Sequence, residues 1–212
     1  MDKKFVIVLA IILGVFVGFV YVRNNDTKKS SPSTASVSDH KKGAGLKKVT
    51  FTEYGDFQCP VCGQYYPIVK QIEQKYADDV TFEFKNFPLD SIHRNARAAH
   101  RAAESAGNQG KFFEMHDLLY QNQQSWSSSS SITEIFNGYA KQLNLDMAKF
   151  KTDFEAQSTN DVINADSTQG KKLGISGTPT FFINGRKLED NERRSYDELV
   201  KSIDAEITKQ NP

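Results

Sequence analysis

Two stretches of alternating apolar and polar residues, 49–54 and 80–87, flank a segment with apolar residues at steps of three and four. Alternation with a period of two is typical of half-buried β-strands, and steps of three and four are typical of one helix face. The pattern predicts a strand–helix–strand unit whose helix covers about residues 61–76. Pro60 fits the first turn of that helix, where the missing backbone N–H costs nothing.

The next stretch, about residues 95–170, contains helical patterns but no strand pattern. Helices are predicted at 96–106, 111–122, 132–143 and 147–157. The Ser-rich run 125–131 is predicted to be a loop and a helix start, because serine caps helices well. Its Trp126 is predicted to cover the helical region.

The C-terminal part returns to strands. An apolar strand is predicted at 180–183, followed by a two-residue hairpin turn at Asn184-Gly185 and a second strand at 186–188. A last helix places Tyr196, Leu199, Val200, Ile203 and Ile207 on one face. The fold class is therefore α/β. Residues 48–212 form one domain, with a helical insertion between the strand–helix–strand unit and the hairpin–helix unit.

Residues 5–22 are apolar without a charged member, which is close to the ~20 residues that cross a bilayer. We interpret residues 1–23 as an N-terminal membrane anchor. A cleaved signal peptide is the alternative, although the apolar run is long for one and lacks a small-x-small site at its end. Residues 24–46 are rich in Ser, Lys, Asp and Gly and are predicted to form a flexible linker.

The formal net charge of +1 gives no indication of a nucleic-acid partner. The chain has two cysteines, Cys59 and Cys62, in one short motif. A disulfide between them closes too small a ring to stabilise the fold much. Zinc or copper binding is a minor alternative, because the four histidines show no paired ligand spacing near the cysteines. The spacing favours a redox-active pair and no metal.

A cysteine immediately before a helix faces unpaired backbone N–H groups and the positive end of the helix dipole. Both features favour the thiolate of Cys59, and cysteines in such positions have pKa values lowered to about 3.5–7.5. Cys62 lies one turn further into the helix. We therefore interpret Cys59 as the attacking sulfur and Cys62 as the resolving one.

The chain resembles the DsbA-like thiol–disulfide oxidoreductases of the thioredoxin superfamily, particularly the membrane-anchored, BdbD-type members of Gram-positive bacteria. The matching segments are Glu53-Tyr-Gly-Asp-Phe-Gln-Cys59-Pro-Val-Cys62, Asn86-Phe-Pro-Leu with His93, Gln109-Gly-Lys-Phe-Phe-Glu-Met-His-Asp117, and Gly174-Ile-Ser-Gly-Thr-Pro179-Thr-Phe-Phe-Ile-Asn-Gly185. The resemblance implies a thioredoxin-like fold. It also implies a cis Thr178–Pro179 bond facing the cysteines, where the Thr178 backbone pairs with an extended substrate; a trans proline in a turn is the alternative.

The resemblance also implies a proton relay to Cys62 by Glu53, with Lys85 as its charge partner. The alternative is that both are solvent-facing strand residues. For His93, a helix-start or packing role is predicted. The sequence departs from the strongly oxidising members at Val61, where they carry histidine, and this predicts a weaker oxidant because valine cannot stabilise the thiolate.

These features predict a bacterial, extracytoplasmic thiol–disulfide oxidoreductase on a single-pass anchor, because disulfides persist outside the cytoplasm. Its redox group is the Cys59–Cys62 disulfide, and no bound cofactor is expected. It is predicted to act as a monomer on unfolded secreted polypeptides with free thiols. As the resemblance implies, a DsbB-like membrane quinone reductase reoxidises it. An extracytoplasmic reductase or isomerase and a redox-inert peptide-binding module are the alternatives.

Overall fold

The computed structural model describes residues 36–210. Five strands form one sheet: β1 (His40–Lys42), β2 (Val49–Gly55), β3 (Val80–Asn86), β4 (Thr180–Ile183) and β5 (Arg186–Lys187). Their order across the sheet is β1-β3-β2-β4-β5. Strands β2 and β3 are parallel, and the other neighbours are antiparallel. A helix must therefore cross over between β2 and β3, as the strand–helix–strand pattern predicts.

Eight α-helices and one short 3-10 helix, Asp190–Glu192, lie within residues 36–210. The α-helices are α1 (Pro60–Lys75), α2 (Ala96–Gly107), α3 (Phe112–Gln121), α4 (Gln123–Ser127), α5 (Ile132–Gln142), α6 (Met147–Glu155), α7 (Gln157–Lys172) and α8 (Tyr196–Gln210). Helices α2–α7 separate β3 from β4. This is the predicted thioredoxin-like α/β fold with a helical insertion.

The hydrophobic core has two main parts. One lies between a sheet face and helices α1 and α8, where Phe51, Ile72, Phe181 and Leu199 are buried. The other fills the helical insertion around Trp126, Phe136 and Phe150 and reaches the sheet through Phe57, whose ring stacks on Phe84 with centroids 5.1 Å apart. Burial of each large side chain contributes about 1.5–3 kcal/mol. Phe57 thus couples the segment before the cysteine motif to the insertion.

The predicted linker extends too far at its C-terminal end. Residues 36–46 belong to the folded domain, while the rest of the predicted linker lies outside the described residues. Strand β1 pairs with β3, and Ser38 donates two hydrogen bonds to the carboxylate of Asp166, from its backbone N at 2.8 Å and from its hydroxyl at 2.6 Å. The composition of this segment is polar, so its order comes from pairing with distant residues and not from its own burial of apolar surface.

The predictions for the insertion need two corrections. Part of the Ser-rich run is helical, because α4 covers Gln123–Ser127. Its Trp126 is buried against Phe136 and donates a hydrogen bond to the carbonyl oxygen of Leu119 at 2.8 Å. Helix α7 was not predicted as a separate helix, and polar residues occupy most of its buried positions, among them Thr159, Asp166 and Ser167.

The prediction of a transmembrane helix is corrected. No helix within residues 36–210 is long and apolar enough to cross a membrane. The segment that carried the prediction, residues 5–22, lies outside the described residues.

Candidate active site

Cys59 is the N-cap residue of α1, with extended backbone angles of φ −65° and ψ 120°. Pro60 occupies the first turn and brings a φ already suited to a helix start. The turn before the helix is held by the Cys59 N–H, which donates to the Asp56 carbonyl oxygen at 3.0 Å. The sequence thus places the Cys59 sulfur at the positive end of a 16-residue helix.

Several donors converge on the Cys59 sulfur. The hydrogen bond from the Cys62 thiol is the largest cause that lowers the pKa of Cys59, which falls from 9.0 to about 5 against the opposing effect of burial. Thr178 and the backbone N–H groups of Cys62 and Val61 lower this pKa further. Cys59 is therefore a thiolate at neutral pH, as its position before the helix predicts.

Cys62 has the opposite character. Its side chain is completely buried, and burial is the main cause that raises its pKa well above 9.0. Neither cysteine is in a disulfide in this structure. One sulfur is thus ready to attack, while the other needs a base to remove its proton before it can react.

The Thr178–Pro179 peptide bond is cis, as predicted. The Thr178 carbonyl oxygen lies 3.4 Å from Cys59 Sγ and accepts a hydrogen bond when that sulfur is protonated. The buried Thr178 hydroxyl makes no other hydrogen bond among the described residues, so it is free to donate to the Cys59 thiolate and lower its pKa. The loop that precedes β4 therefore contacts the reactive sulfur directly.

Gln123, a residue that the sequence did not single out, clamps the cysteine turn. Its Nε2 donates to the carbonyl oxygens of Phe57 at 2.8 Å and Cys59 at 2.9 Å. Gly63 permits this approach, because a Cβ there would lie 2.5 Å from Gln123 Oε1. A glycine directly after the second cysteine was the available signal, since it marks a close approach by another group.

His93 is also at the site, where a helix-start or packing role was predicted. Its Nδ1 lies 2.7 Å from Oδ2 of the buried Asp56, which also accepts the Leu89 N–H at 2.9 Å. The other carboxylate oxygen of Asp56 accepts the Gln58 N–H at 2.7 Å. Asp56 thus joins the turn before Cys59 to the loop that carries His93.

A groove of about 690 Å³ begins at Pro60 and runs between α1 and α4. Its walls include amides and hydroxyls, among them Gln64, Gln124 and Ser128, together with His93. The described residues that line it include no carboxylate, lysine or arginine. Val61 stands beside the cysteines with 43% of its surface exposed. An extended polypeptide fits such a groove, because amides and hydroxyls can hydrogen-bond a backbone of any sequence.

Glu53 is buried, at 7% exposure, on the face of β2 that also carries Phe51. Burial, followed by the negative charge of Glu73, raises the pKa of Glu53 to about 8, while Lys42 lowers it. The charge of Glu53 in turn raises the pKa of Cys62. A carboxyl group that titrates near neutral pH beside a buried thiol is suited to accept and return its proton.

Lys85 is not the charge partner of Glu53, and this prediction was wrong. In the parallel register Glu53 lies beside Phe84, whereas Lys85 lies beside Tyr54 and therefore on the opposite face of the sheet. Lys85 is buried, donates to the Ser38 carbonyl oxygen, and lies 3.1 Å from Glu83. The alternative of two solvent-facing strand residues was also wrong, because both side chains are buried. Among the described residues, no three potential metal ligands form a cluster.

The family model described as "Thioredoxin" matches residues 36–205. The chain belongs to this thioredoxin family, and the match begins where the described fold begins.

Solved structures with this fold include BdbD from Bacillus subtilis in its oxidised form, with a TM-score of 0.68 and 23% identity over 79% of this chain and 92% of that one. The thiol-disulfide exchange protein alpha-DsbA2 of Wolbachia pipientis has a TM-score of 0.63 and 19% identity, over 78% of this chain and 85% of that one. These likenesses confirm the DsbA-like form of the thioredoxin fold.

Among curated relatives, the Na(+)/H(+) antiporter NhaA 1 of Salinispora arenicola is 39% identical over 171 residues, which cover 80% of this chain and 24% of the relative. The chain spans about a quarter of the length of the curated relatives it matches.

Proposed function

We propose that this chain is a thiol–disulfide oxidoreductase that introduces disulfides into unfolded polypeptides by dithiol–disulfide exchange at Cys59 and Cys62. The observation that carries the proposal is the asymmetry of the pair. Cys59 is a stabilised thiolate at a helix start beside Thr178, and Cys62 is a buried thiol near a carboxyl group.

The exchange proceeds in two displacements. A substrate thiolate attacks Cys59 Sγ in the Cys59–Cys62 disulfide, forms a mixed disulfide with Cys59, and expels Cys62, which takes a proton. A second substrate thiolate attacks the substrate sulfur of the mixed disulfide and expels Cys59 as a thiolate. The substrate loses two electrons and gains a disulfide, and the enzyme pair gains those two electrons. The low pKa of Cys59 favours it as the leaving group.

The same pKa supports oxidation over reduction. Stabilising the thiolate stabilises the reduced enzyme and so makes its disulfide a better oxidant. A Cys59 pKa of about 5 lies between the values of about 7 for thioredoxin and about 3.5 for the strongly oxidising DsbA. We therefore infer an oxidase of intermediate strength, with a reductase or isomerase as the second candidate.

The substrate is an extended segment around a cysteine. The backbone of Thr178 pairs with it as an added strand, and the groove beside Pro60 holds the adjoining residues. The amides and hydroxyls that line the groove support a broad range of clients. The protein acts on them as a monomer.

We further propose that the domain works on the extracytoplasmic side of the membrane of a Gram-positive bacterium, where product disulfides persist. A DsbB-like quinone reductase then reoxidises the Cys59–Cys62 pair. Protease treatment of intact cells tests the location, because an extracytoplasmic domain is digested while a cytoplasmic marker protein survives.

The activity is tested with a reduced, unfolded protein whose refolding requires disulfides. We expect the oxidised chain to restore its activity, while Cys59→Ser and Cys62→Ser are inactive because neither variant can form the Cys59–Cys62 disulfide. An equilibrium titration against glutathione measures the reduction potential of the Cys59–Cys62 pair and so distinguishes an oxidase from a reductase. A potential near that of cytosolic thioredoxin identifies a reductase. Peptide binding without any thiol exchange would identify a redox-inert binding module and end the proposal.

A further inference from the structure

The carboxyl group of Glu53 must exchange protons with water once per redox cycle if it serves Cys62. The path from Glu53 to solvent past the two cysteines is closed by protein atoms. Cys62 is fully buried, and Cys59 is 5% exposed. A proton on Glu53 therefore needs a second route.

A small cavity beside Glu53 offers that route, and it shares no lining residue with the substrate groove. It has a volume of about 10 Å³, and its polar lining includes Glu53, Glu73 and His116. Apolar side chains such as Val69 and Phe113 complete it. A space of this size holds about one water molecule, and the polar lining can bind it.

Beyond the cavity, Glu73 leads to solvent through a chain of charged groups. Glu73 Oε1 lies 2.6 Å from Lys42 Nζ, and Glu73 Oε2 lies 3.1 Å from Lys70 Nζ. Lys70 Nζ is 2.9 Å from Asp117, and Asp117 is 3.0 Å from His116 Nδ1. The side chains of Lys42 and Lys70 are 24% and 30% exposed, so the outer end of this chain reaches water.

We propose that Glu53 exchanges its proton with solvent through one water molecule in this cavity and through Glu73, with Lys42 of β1 at the outer end. This inference rests on the proposed function. Glu73 and Lys42 are positioning residues in this account, because they act on the cysteines only through Glu53. Strand β1 thereby takes part in the chemistry, although it lies outside the strand–helix–strand and hairpin units.

The charged groups around Glu53 are compatible with proton transfer between Glu53 and solvent along this route. Titratable groups lie near Glu53 or line its cavity from β1, α1, β3 and α3; they are Lys42, Cys59, Cys62, Glu73, Glu83, His116 and Tyr120. Burial lowers the pKa of Lys42, which therefore releases a proton more readily than an exposed lysine. Burial also lowers the pKa of His116, so that this ring is neutral and can accept a hydrogen bond from water.

The step to measure is closure of the enzyme disulfide. Reduced protein attacks glutathione disulfide through Cys59, and the Cys62 thiol then gives its proton to the Glu53 carboxylate. The Cys62 sulfur forms its bond to Cys59, and glutathione leaves as a thiolate that water protonates. Rapid acid quench and mass spectrometry follow the mixed disulfide and the closed disulfide separately, from pH 5 to 10, in ordinary and heavy water.

We expect Glu73→Gln to lower the maximum closure rate on the order of tenfold and to increase its solvent isotope effect. The first step, attack by Cys59, keeps its rate. Val69→Leu fills the cavity without changing charge and should lower the same maximum with no shift of the pH midpoint. The matched control is Glu114→Gln, which removes an exposed carboxylate also paired with a lysine, Lys111.

A purely electrostatic role gives another result. Loss of the Glu73 charge then lowers the pKa of Glu53 and moves the pH midpoint, while the maximum closure rate stays at the wild-type value. That result, or a wild-type maximum in Val69→Leu, overturns the proposal. Unreactive wild-type protein would instead refute the proposed function, so the two failures are distinct. Unchanged unfolding curves establish that the variants fold.

Discussion

Cys59 Sγ lies 3.4 Å from the Thr178 carbonyl oxygen, although 119 residues separate them in the chain. The contact joins the start of α1 to the loop before β4. It exists because β2 and β4 are antiparallel neighbours, so the end of one and the start of the other lie at the same edge of the sheet. The reactive sulfur and the loop that contains Thr178 and Pro179 are thus brought together by sheet topology.

The hydrogen bond from Cys62 is the main cause of the low Cys59 pKa. Cys62→Ala removes the donor and should move the Cys59 pKa from about 5 toward 9.0. Cys62→Ser retains a donor and should keep the pKa low. The rate of alkylation as a function of pH measures both, and equal midpoints in the two variants would disprove this cause.

Glu53 should make stability depend on pH. Its pKa is about 8 in the folded protein and 4.5 as a free group, so the unfolded chain ionises first as the pH rises. The free energy of unfolding therefore falls between pH 4.5 and 8. Glu53→Gln should be more stable than the wild type by roughly 3 kcal/mol at pH 7 and equal to it near pH 4.

Urea unfolding of the reduced protein at several pH values measures this difference. The control is Glu134→Gln, because Glu134 is exposed on α5. A constant difference between Glu53→Gln and the wild type at every pH would mean that Glu53 is not protonated in the fold. The relay itself predicts slower resolution in Glu53→Gln, and unchanged rates at every pH would exclude it.

Val61 is exposed beside Cys59 and supplies neither charge nor a hydrogen-bond donor. Val61→His should stabilise the thiolate and raise the reduction potential by about 30 mV for each tenfold gain in the reduced form. Glutathione equilibrium measures the potential, with Val61→Ala as the control of unchanged polarity. An unchanged or lower potential in Val61→His contradicts the prediction.

Gly63→Ala should destabilise the protein by about 1–3 kcal/mol, because the new methyl group displaces Gln123 from the cysteine turn. The matched control is Gly138→Ala in α5, where no atom lies within 4 Å of the added Cβ. That change should stabilise the helix by about 0.5–1 kcal/mol. Thermal unfolding separates the two, and equal effects would show that Gln123 can move without cost.

The parts of the fold that could be predicted from the sequence are those in which buried apolar residues recur at the regular spacing of a strand or a helix. Strands β2 and β3 alternate, and α1 carries its stripe, because one face of each packs on the core. Helix α7 escaped prediction since its buried face includes Asp166, which is hydrogen-bonded to Ser38 and Asn86 and not packed among apolar groups. Strand β1 was not predicted because its three residues are polar and none is fully buried; it is ordered by pairing with β3.

Within the site, the different roles of Cys59 and Cys62 could be predicted from the local sequence, because the start of a helix lowers the pKa of a cysteine placed there. The partner of Glu53 could not be predicted in this way. Lys85 lies on the strand next to that of Glu53, but the strand register places its side chain on the other face of the sheet. The cation that lowers the pKa of Glu53 is Lys42. Gln123 and His93 reach the site through tertiary contacts, and the local sequence signals only the close approach of Gln123, at Gly63.

The central claim is that Cys59 is a stabilised thiolate, and its absorbance in the ultraviolet tests this most directly. In the reduced Cys62→Ser protein, which contains Cys59 as its single cysteine, a pH titration should give a midpoint near 5, as for the wild-type group. A midpoint near 9, the value of an ordinary thiol, would contradict the account.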